Sequence, residues 1–525
     1  MPINFIPNDP TVVASLPIRS KTPRAERPTT RAGFRYVEHN PARRYAPGSP
    51  DFLFWQTREA ALATMQLWER LHAPLTAWAR STNRRLLDLI PDSADEDLNA
   101  YYDGQSLAFF HYRLGSRTFF SGASTEVVAH EVGHALLDSI RPDLWSSLLP
   151  ETGAFHEAFG DCIAILNSFA DAETVALVLR RSGGLSAQNV AETFGEDLAK
   201  AVKQALGSSH PASKPRQALN TFQWQLPSDL PRTGGPDVLT SEVHSFARVF
   251  TGIFYDLIRN LLGRARTAAA VRKATTTAGR LLIAGTIGAP LTARFFQAVG
   301  RVMMLEDRNV NGGANDRAIA DAFAAHGIML GSSAMLQPVS ALEPTTTRAA
   351  TARSTRTAMT ALGRRLGGAD GRELGATRRI EIGGTTVMEV SGERRVPLSG
   401  ISERLSGVVA YVPNSVLVGD MTGSGRSAVL GGFSDPASVD DEVRRFVAML
   451  MERGRIDFSG DDRLVAAPPR AGARKAGAAR GATAARDGDR RARLATHLVV
   501  DSAGARVLER ARFACGPPCC GADVR

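Results

Sequence analysis

Two histidines four residues apart, His130 and His134, stand in the segment AHEVGH with Glu131 beside the first of them. On a helix such a pair projects from one face, so both imidazoles can grip one metal ion while the glutamate is placed to take a proton from water. The pentapeptide alone arises in many unrelated chains, and two helical histidines are also compatible with a polar surface. The flanks argue for the metal. Val127, Val128, Ala129, Ala135, Leu136 and Leu137 are small or apolar, which describes a buried helix in which histidines without partners would be costly. Ser124 is placed to cap this helix, and Glu126 in its first turn suits the helix dipole.

Catalytic zinc takes three protein ligands and keeps a fourth position for water. Glu157, 23 residues beyond His134, is the expected third ligand. It lies in GAFHEAFGDCIAIL, where Phe155, Phe159, Cys162 and Leu166 form an apolar stripe. Asp161, one turn further, can accept the free ring N–H of a zinc-bound histidine and fix its tautomer. The expected cofactor is one Zn2+.

With these residues in place the chain resembles the thermolysin-like gluzincin metallopeptidases. The active-site helix of that family, VVAHE..HA..D, is matched by Val127 to Glu131, His134, Ala135 and Asp138, and its second helix, GA..EA..D, by Gly153, Ala154, Glu157, Ala158 and Asp161. An upstream Asn-Ala-aromatic-aromatic segment is matched by Asn99, Ala100, Tyr101 and Tyr102, and a downstream Val-His by Val243 and His244. Arg216 stands 28 residues before His244, the family's spacing for a substrate-contacting arginine. The likeness spans roughly residues 57 to 330. It implies a metalloendopeptidase with Glu131 as general base and His244 as hydrogen-bond donor to the oxyanion, each contributing to the transition state. It further implies that Asn99, Ala100 and Arg216 bind substrate, the extended peptide adding as a strand to a sheet edge.

Two departures stand out. The tyrosine that assists the oxyanion in this family is missing between His134 and Glu157, where Trp145 is the large aromatic residue; either Tyr101 or Tyr102 substitutes or activity is reduced. Asn167 and Ser168 occupy positions where the resemblance calls for a calcium-binding carboxylate, so structural Ca2+ is not expected. Asp307, Asn309, Asn311 and Gly312 begin a calcium-loop pattern that no glutamate closes, since Ala318 holds the twelfth position, and a polar turn between helices is expected there.

Positioning these groups requires an α+β protein with a thermolysin-like, two-lobed zincin domain: a strand-rich N-lobe, a helical C-lobe and a small β-containing C-terminal extension. Residues 1–50, rich in Pro, Thr and Arg, read as a disordered or loosely packed arm. Residues 51–140 form the N-lobe with the active-site helix. They open on a long helix for which Thr57 is a candidate N-cap and Pro74 a candidate kink, and carry short antiparallel strands over 99–121. The helical lobe is expected over 141–335, a linker over 336–372, the extension over 373–463, an Arg/Ala/Gly-rich linker over 464–494, and a hairpin with a Cys-rich tip over 495–525.

Bulk properties narrow the remaining classes. A chain of 525 residues with 43% hydrophobic content can bury a large core, and four cysteines, three of them crowded near the C-terminal end, make no disulfide framework. The net charge of +10 is concentrated in Ala/Gly-rich segments that read as solvated linkers, so the expected partner is a peptide or protein substrate and not nucleic acid or a membrane. Pro7, Asp9, Pro10 and Pro17 interrupt every short apolar run at the N-terminus, and classical export is not expected; this leaves the cytoplasm or non-classical export. A zinc-binding homologue that has lost efficient turnover and acts as a regulatory protein remains the alternative to a working peptidase.

Overall fold

A computed structural model describes residues 1–36, 39–181, 183–331, 337–338, 376–419, 428–430, 436–458, 495–502 and 504–514. The architecture is α+β. Strand β1 (Ile3–Phe5) pairs antiparallel with β2 (Arg19–Lys21), and β3 (Gly33–Tyr36) enters a larger sheet. The expectation of a loosely packed arm over residues 1–50 is therefore corrected. Ile3, Phe5, Ile6, Asn8 and Asp9 are buried. The Gln56 side chain, fifty residues on, accepts from the Ile6 N–H at 2.8 Å and donates to the Ile6 carbonyl at 3.0 Å. Contacts of that separation leave no periodicity to read.

Helix α1 (Pro50–Leu71) begins seven residues before Thr57. Ser49 is its N-cap, accepting from the Phe52 N–H, with Pro50 in the first turn where its missing N–H costs nothing. Thr57 instead sits inside the helix with its hydroxyl on the Leu53 carbonyl at 2.8 Å. Pro74 falls beyond the last turn and kinks nothing. The strands β4 (Leu86–Ile90), β5 (Ala100–Tyr102) and β6 (Ser106–Phe109) follow, β4 pairing with β3 and β6, and β6 with β5. A hairpin of β7 (His111–Leu114) and β8 (Arg117–Phe120) turns at Gly115, whose φ of 62° suits glycine. The short antiparallel strands expected over 99–121 are thus present.

Beneath this sheet run α2 (Thr125–Ile140) and α3 (Pro150–Ala170). They approach almost backbone to backbone: a Cβ on Gly133 would lie 2.9 Å from the Gly160 Cα. The remaining helices are α4 (Ala172–Arg180), α5 (Glu196–Leu206), α6 (Val243–Leu262), α7 (Ala268–Gly288), α8 (Phe295–Asn311) and α9 (Asp316–Ala325). A two-residue ladder of β9 (Thr193–Phe194) and β10 (Arg216–Gln217) flanks α5. The turn between α8 and α9 is the expected polar one, with Asp307 accepting from Asn311 Nδ2 at 2.8 Å and from the Asn315 backbone at 2.7 Å.

The C-terminal part contains β11 (Gln337–Pro338), β12 (Ala376–Ile382), β13 (Thr385–Pro397), β14 (Val408–Gly419), β15 (Ala428–Leu430), α10 (Pro436–Glu452), β16 (Ile456–Asp457), β17 (His497–Ser502), β18 (Ala505–Arg510) and β19 (Phe513–Ala514). The expected hairpin is β17–β18. Its separation from the 373–463 extension is corrected, because β18 pairs parallel with β14 and β17 parallel with β16 in one eight-stranded sheet. Nor is that sheet a detached module. The Leu291 N–H donates to Ser415 Oγ at 2.6 Å, the Ser415 N–H donates to the Leu291 carbonyl at 2.8 Å, and one buried apolar cluster runs from Phe5 to Phe513. Apart from Gln337–Pro338, the linkers expected at 336–372 and 464–494 lie outside the described residues, as do Cys515, Cys519 and Cys520. Among the described residues no single helix is long and apolar enough to cross a membrane.

Candidate metal centre

Helix α2 starts as the sequence suggests, with the Ser124 hydroxyl accepting from the Val127 N–H. Its Val and Ala flanks bury His130, Glu131 and His134 almost completely, and α3 buries Glu157 and Asp161 to the same degree. Each metal-ligand candidate offers one atom within 4.8 Å of the other two, so His130, His134 and Glu157 form a buried group able to hold a metal ion. One Glu157 carboxylate oxygen, Oε2, lies 3.5 Å from His130 Nε2 and 3.7 Å from His134 Nε2.

The outer ring nitrogens are spoken for. His130 Nδ1 lies 2.9 Å from Asp161 Oδ1, which sets the outer nitrogen of the ring beside that carboxylate and turns Nε2 inward. His130 Nε2 is buried and makes no hydrogen bond, which is the state of a nitrogen shaped for coordination. His134 Nδ1 lies 2.9 Å from His156 Nδ1, where one ring donates and the other accepts. Burial pushes both His134 and His156 well below the ordinary imidazole range, so both are neutral and His134 keeps a lone pair for a cation. For Glu157 burial acts upward, yet the neighbouring His244, His130 and Arg216 hold it down to about 2. For His130 burial and Arg216 act downward and are outweighed by the Asp161 and Glu157 carboxylates, which lift it to about 9. Two imidazoles and a carboxylate are a donor set for a borderline divalent ion.

His244 arrives on the first turn of α6. Glu242 caps that helix by accepting from the Ser245 N–H, and its second oxygen lies 2.7 Å from His244 Nδ1. This aims His244 Nε2 at the centre, 3.2 Å from Glu157 Oε2. Burial lowers the His244 imidazole, but the Glu157 and Glu242 carboxylates outweigh it and raise it above its ordinary value. Arg216, on β10, places Nη2 3.1 Å from Asp161 Oδ1, which brings it to the site through the carboxylate that orients His130. Ala100 lines an open cleft together with Val127, His130, Arg216 and His244. Asn99 immediately precedes β5, its side-chain oxygen accepting from the Ala100 N–H at 2.9 Å. Of the nine residues expected from sequence, His130, His134, Glu157, Asp161, Arg216 and His244 lie in direct contact, Glu131 is next to His130 on α2, and Ala100 lines the cleft.

The tyrosine question is partly answered. Tyr102 donates its hydroxyl to Asp138 at 2.8 Å, one turn beyond His134 on α2, and the Trp145 indole N–H donates to the Arg510 carbonyl at 3.0 Å. Neither group is turned to the ligands. Sequence reasoning missed four participants. His156 and Glu242 were each one or two residues from a named ligand or donor, and adjacency was their one signal. Phe513 had none: its ring stacks on His134 and His156 with centroids 5.0 and 3.6 Å apart. The fourth is a second group, Asp9, Glu126 and Glu196, with carboxylate oxygens within 4.8 Å of one another. The expectation of no structural Ca2+ rested on Asn167 and Ser168 and took no account of Asp9, which the N-terminal segment delivers to this place. No protein-family model and no curated protein matches the sequence.

Proposed function

We propose that the protein is a thermolysin-like zinc metallopeptidase that hydrolyses internal peptide bonds. The observation that carries this reading is the convergence of His130 Nε2, His134 Nε2 and Glu157 Oε2 beside the buried Glu131, with His244 Nε2 arriving from another helix. A Zn2+ ion held by the first three would supply Lewis-acid polarisation of the scissile carbonyl and a water acidified to a pKa of about 7.

The protein's own groups account for the remaining needs of the reaction. Glu131 takes the proton of the attacking water and returns it to the leaving amine. His244, held by Glu242, donates its Nε2–H to the developing oxyanion, a bond worth roughly 3 kcal/mol. Asp161 fixes the His130 tautomer, and Arg216 balances the Asp161 charge. The β5 edge at Ala100 offers backbone groups to an extended peptide.

A second reading has a specific observation in its favour. Tyr102 and Trp145 are committed elsewhere, so a weak or inactive zinc-binding regulator is the alternative. Comparing the wild type with Glu131→Gln separates the two. Equal zinc content with casein hydrolysis only in the wild type supports the peptidase; no cleavage by either variant at full zinc occupancy supports the regulator.

A further inference from the structure

The five-stranded sheet runs β19-β5-β6-β4-β3, so the edge of β5 that β6 leaves open is covered by the chain's own residues 513 and 514. Phe513 pairs with Tyr102 and Ala514 with Tyr101, antiparallel. Strand β5 begins at Ala100, which lines the cleft with His130 and His244, and ends at Tyr102, whose hydroxyl is tied to Asp138. An antiparallel partner therefore runs from the Asp138 end toward the cleft, with Ala514 nearer the Ala100 end of β5 and Phe513 against His134. The side chain of Phe513 is seated, not merely adjacent. It is 2% exposed, stacks on His156 and His134, meets Trp145 edge-on at 5.5 Å, and lies 4.3 Å from the Arg510 guanidinium. Upstream, the backbone is held by Trp145 on the Arg510 carbonyl and by the Ala511 N–H on the Thr496 carbonyl at 2.8 Å.

We propose that β19 is an intramolecular peptide ligand of the candidate active site: it occupies the β5 edge, and an extended peptide carrying an aromatic residue followed by a small one must displace it to bind there. This inference rests on the peptidase reading for the meaning of the edge, though its binding step needs no catalysis. A strand of two residues contributes few ladder bonds, so the seat of Phe513 is the larger part of its hold. Its tether keeps it at a local concentration of about millimolar, which lowers the apparent affinity of any free peptide by the fraction of time that the edge is open. The strand is therefore a built-in competitor, and extended peptides of the Phe-Ala class are what the edge accepts.

The test uses a fluorescein-labelled peptide copying residues 506–514 (Arg-Val-Leu-Glu-Arg-Ala-Arg-Phe-Ala), with binding read by anisotropy in the Glu131→Gln background so that nothing is cut. Removal of residues 511–525 is expected to raise its affinity at least ~10-fold over the full chain, and a peptide with Asp in place of Phe to lose that gain. Equal binding by a cooperatively melting truncated chain and the full chain overturns the proposal. In case the truncated chain fails to fold, a full-length chain with Tyr101→Cys and Ala514→Cys, and with Cys515, Cys519 and Cys520 changed to Ser, places a disulfide across the directly opposed pair. Oxidised, it is expected to bind no peptide and to regain binding on reduction; equal binding in both states overturns the proposal. Casein hydrolysis by the wild type is scored separately. Absent hydrolysis with released binding removes the peptidase reading alone, and hydrolysis with unreleased binding removes this one alone.

Discussion

Gly160 faces the His130 imidazole across the α2–α3 contact, and Gly160→Ala tests whether that contact sets the metal geometry. An added Cβ would stand 2.8 Å from His130 Cε1 and Nδ1 and 3.0 Å from Cγ. To reach the 3.4 Å of ordinary contact the ring must retreat by about 0.6 Å. Metal–ligand distances tolerate only about 0.2 Å, so Nε2 leaves coordinating range unless the helices part. They cannot part cheaply, because Gly133 meets the Gly160 Cα at the same place. The retreat also stretches the 2.9 Å contact of Nδ1 with Asp161. Disturbing a ligand's orientation costs roughly 10–100-fold in metal affinity, about 1.4–2.7 kcal/mol. Folding changes less: overpacking costs about 1–3 kcal/mol while alanine recovers about 1 kcal/mol of helix propensity. Zinc dissociation constants from chelator competition, with thermal melts of the metal-free proteins, measure both. A variant that binds zinc within about twofold of the wild type would refute the claim that α2–α3 packing positions His130.

Asp161→Asn keeps the shape but removes the charge that His130 Nδ1 and Arg216 share, and zinc affinity by chelator competition is expected to fall roughly 10–100-fold with the melting temperature little changed. Chelation of bound metal is expected to lower the melting temperature, since an ion at a hundred times its dissociation constant adds about 2.7 kcal/mol to the folded state; identical melts with and without chelator would mean that the group holds no ion. The second acidic group gives a pH signature. Burial raises Asp9 from 3.8 to about 6 and Glu196 from 4.5 to about 8, so the folded state keeps protons that the unfolded chain releases. The contribution of these two groups to stability is then greatest below about pH 4 and is lost as pH rises toward about 8. Glu196→Gln is expected to raise the melting temperature at pH 8 and to leave it unchanged at pH 4, and an equal change at both values contradicts the assignment.

The legible part of the site was local. His130, Glu131 and His134 share one turn and a half of α2, and Glu157 and Asp161 one turn of α3, so spacing and apolar flanks placed them before any tertiary contact was known. Ser124 could be named as a cap for the same reason. What escaped depends on contacts across the chain. Thr57 is a candidate cap only if the helix begins there, and the Ser49 cap together with the Gln56 bonds to Ile6 shows that Pro50–Gln56 already belongs to a buried helix. Asp9 meets Glu126 and Glu196 through a segment whose prolines suggested disorder. Two strands from either side of residue 464 close one sheet, which a rule that cuts domains at low-complexity segments must divide.

That closure bears on whether residues 340–525 are an appendage. Arg294, which precedes α8, is paired with the buried Glu442 of α10, and the buried Glu151 of α3 lies 3.7 Å from the same guanidinium. Arg141, fully buried at the end of α2, donates to the Thr286 and Ala289 carbonyls at 2.6 and 2.7 Å beneath the Ile382 contact with Gly288. Removing residues 340–525 strips Ile382 from α7, Ser415 from Leu291 and Phe513 from His134 and His156 at once. Each loss leaves a buried polar group short of a partner or an apolar face in water, at about 1–3 kcal/mol apiece, against a total stability of about 5–15 kcal/mol. A chain ending at residue 339 is therefore expected to lose cooperative melting and zinc binding together. A monomer that melts cooperatively and still binds zinc would show instead that the α2–α3 centre is self-sufficient, and that the C-terminal sheet only covers it.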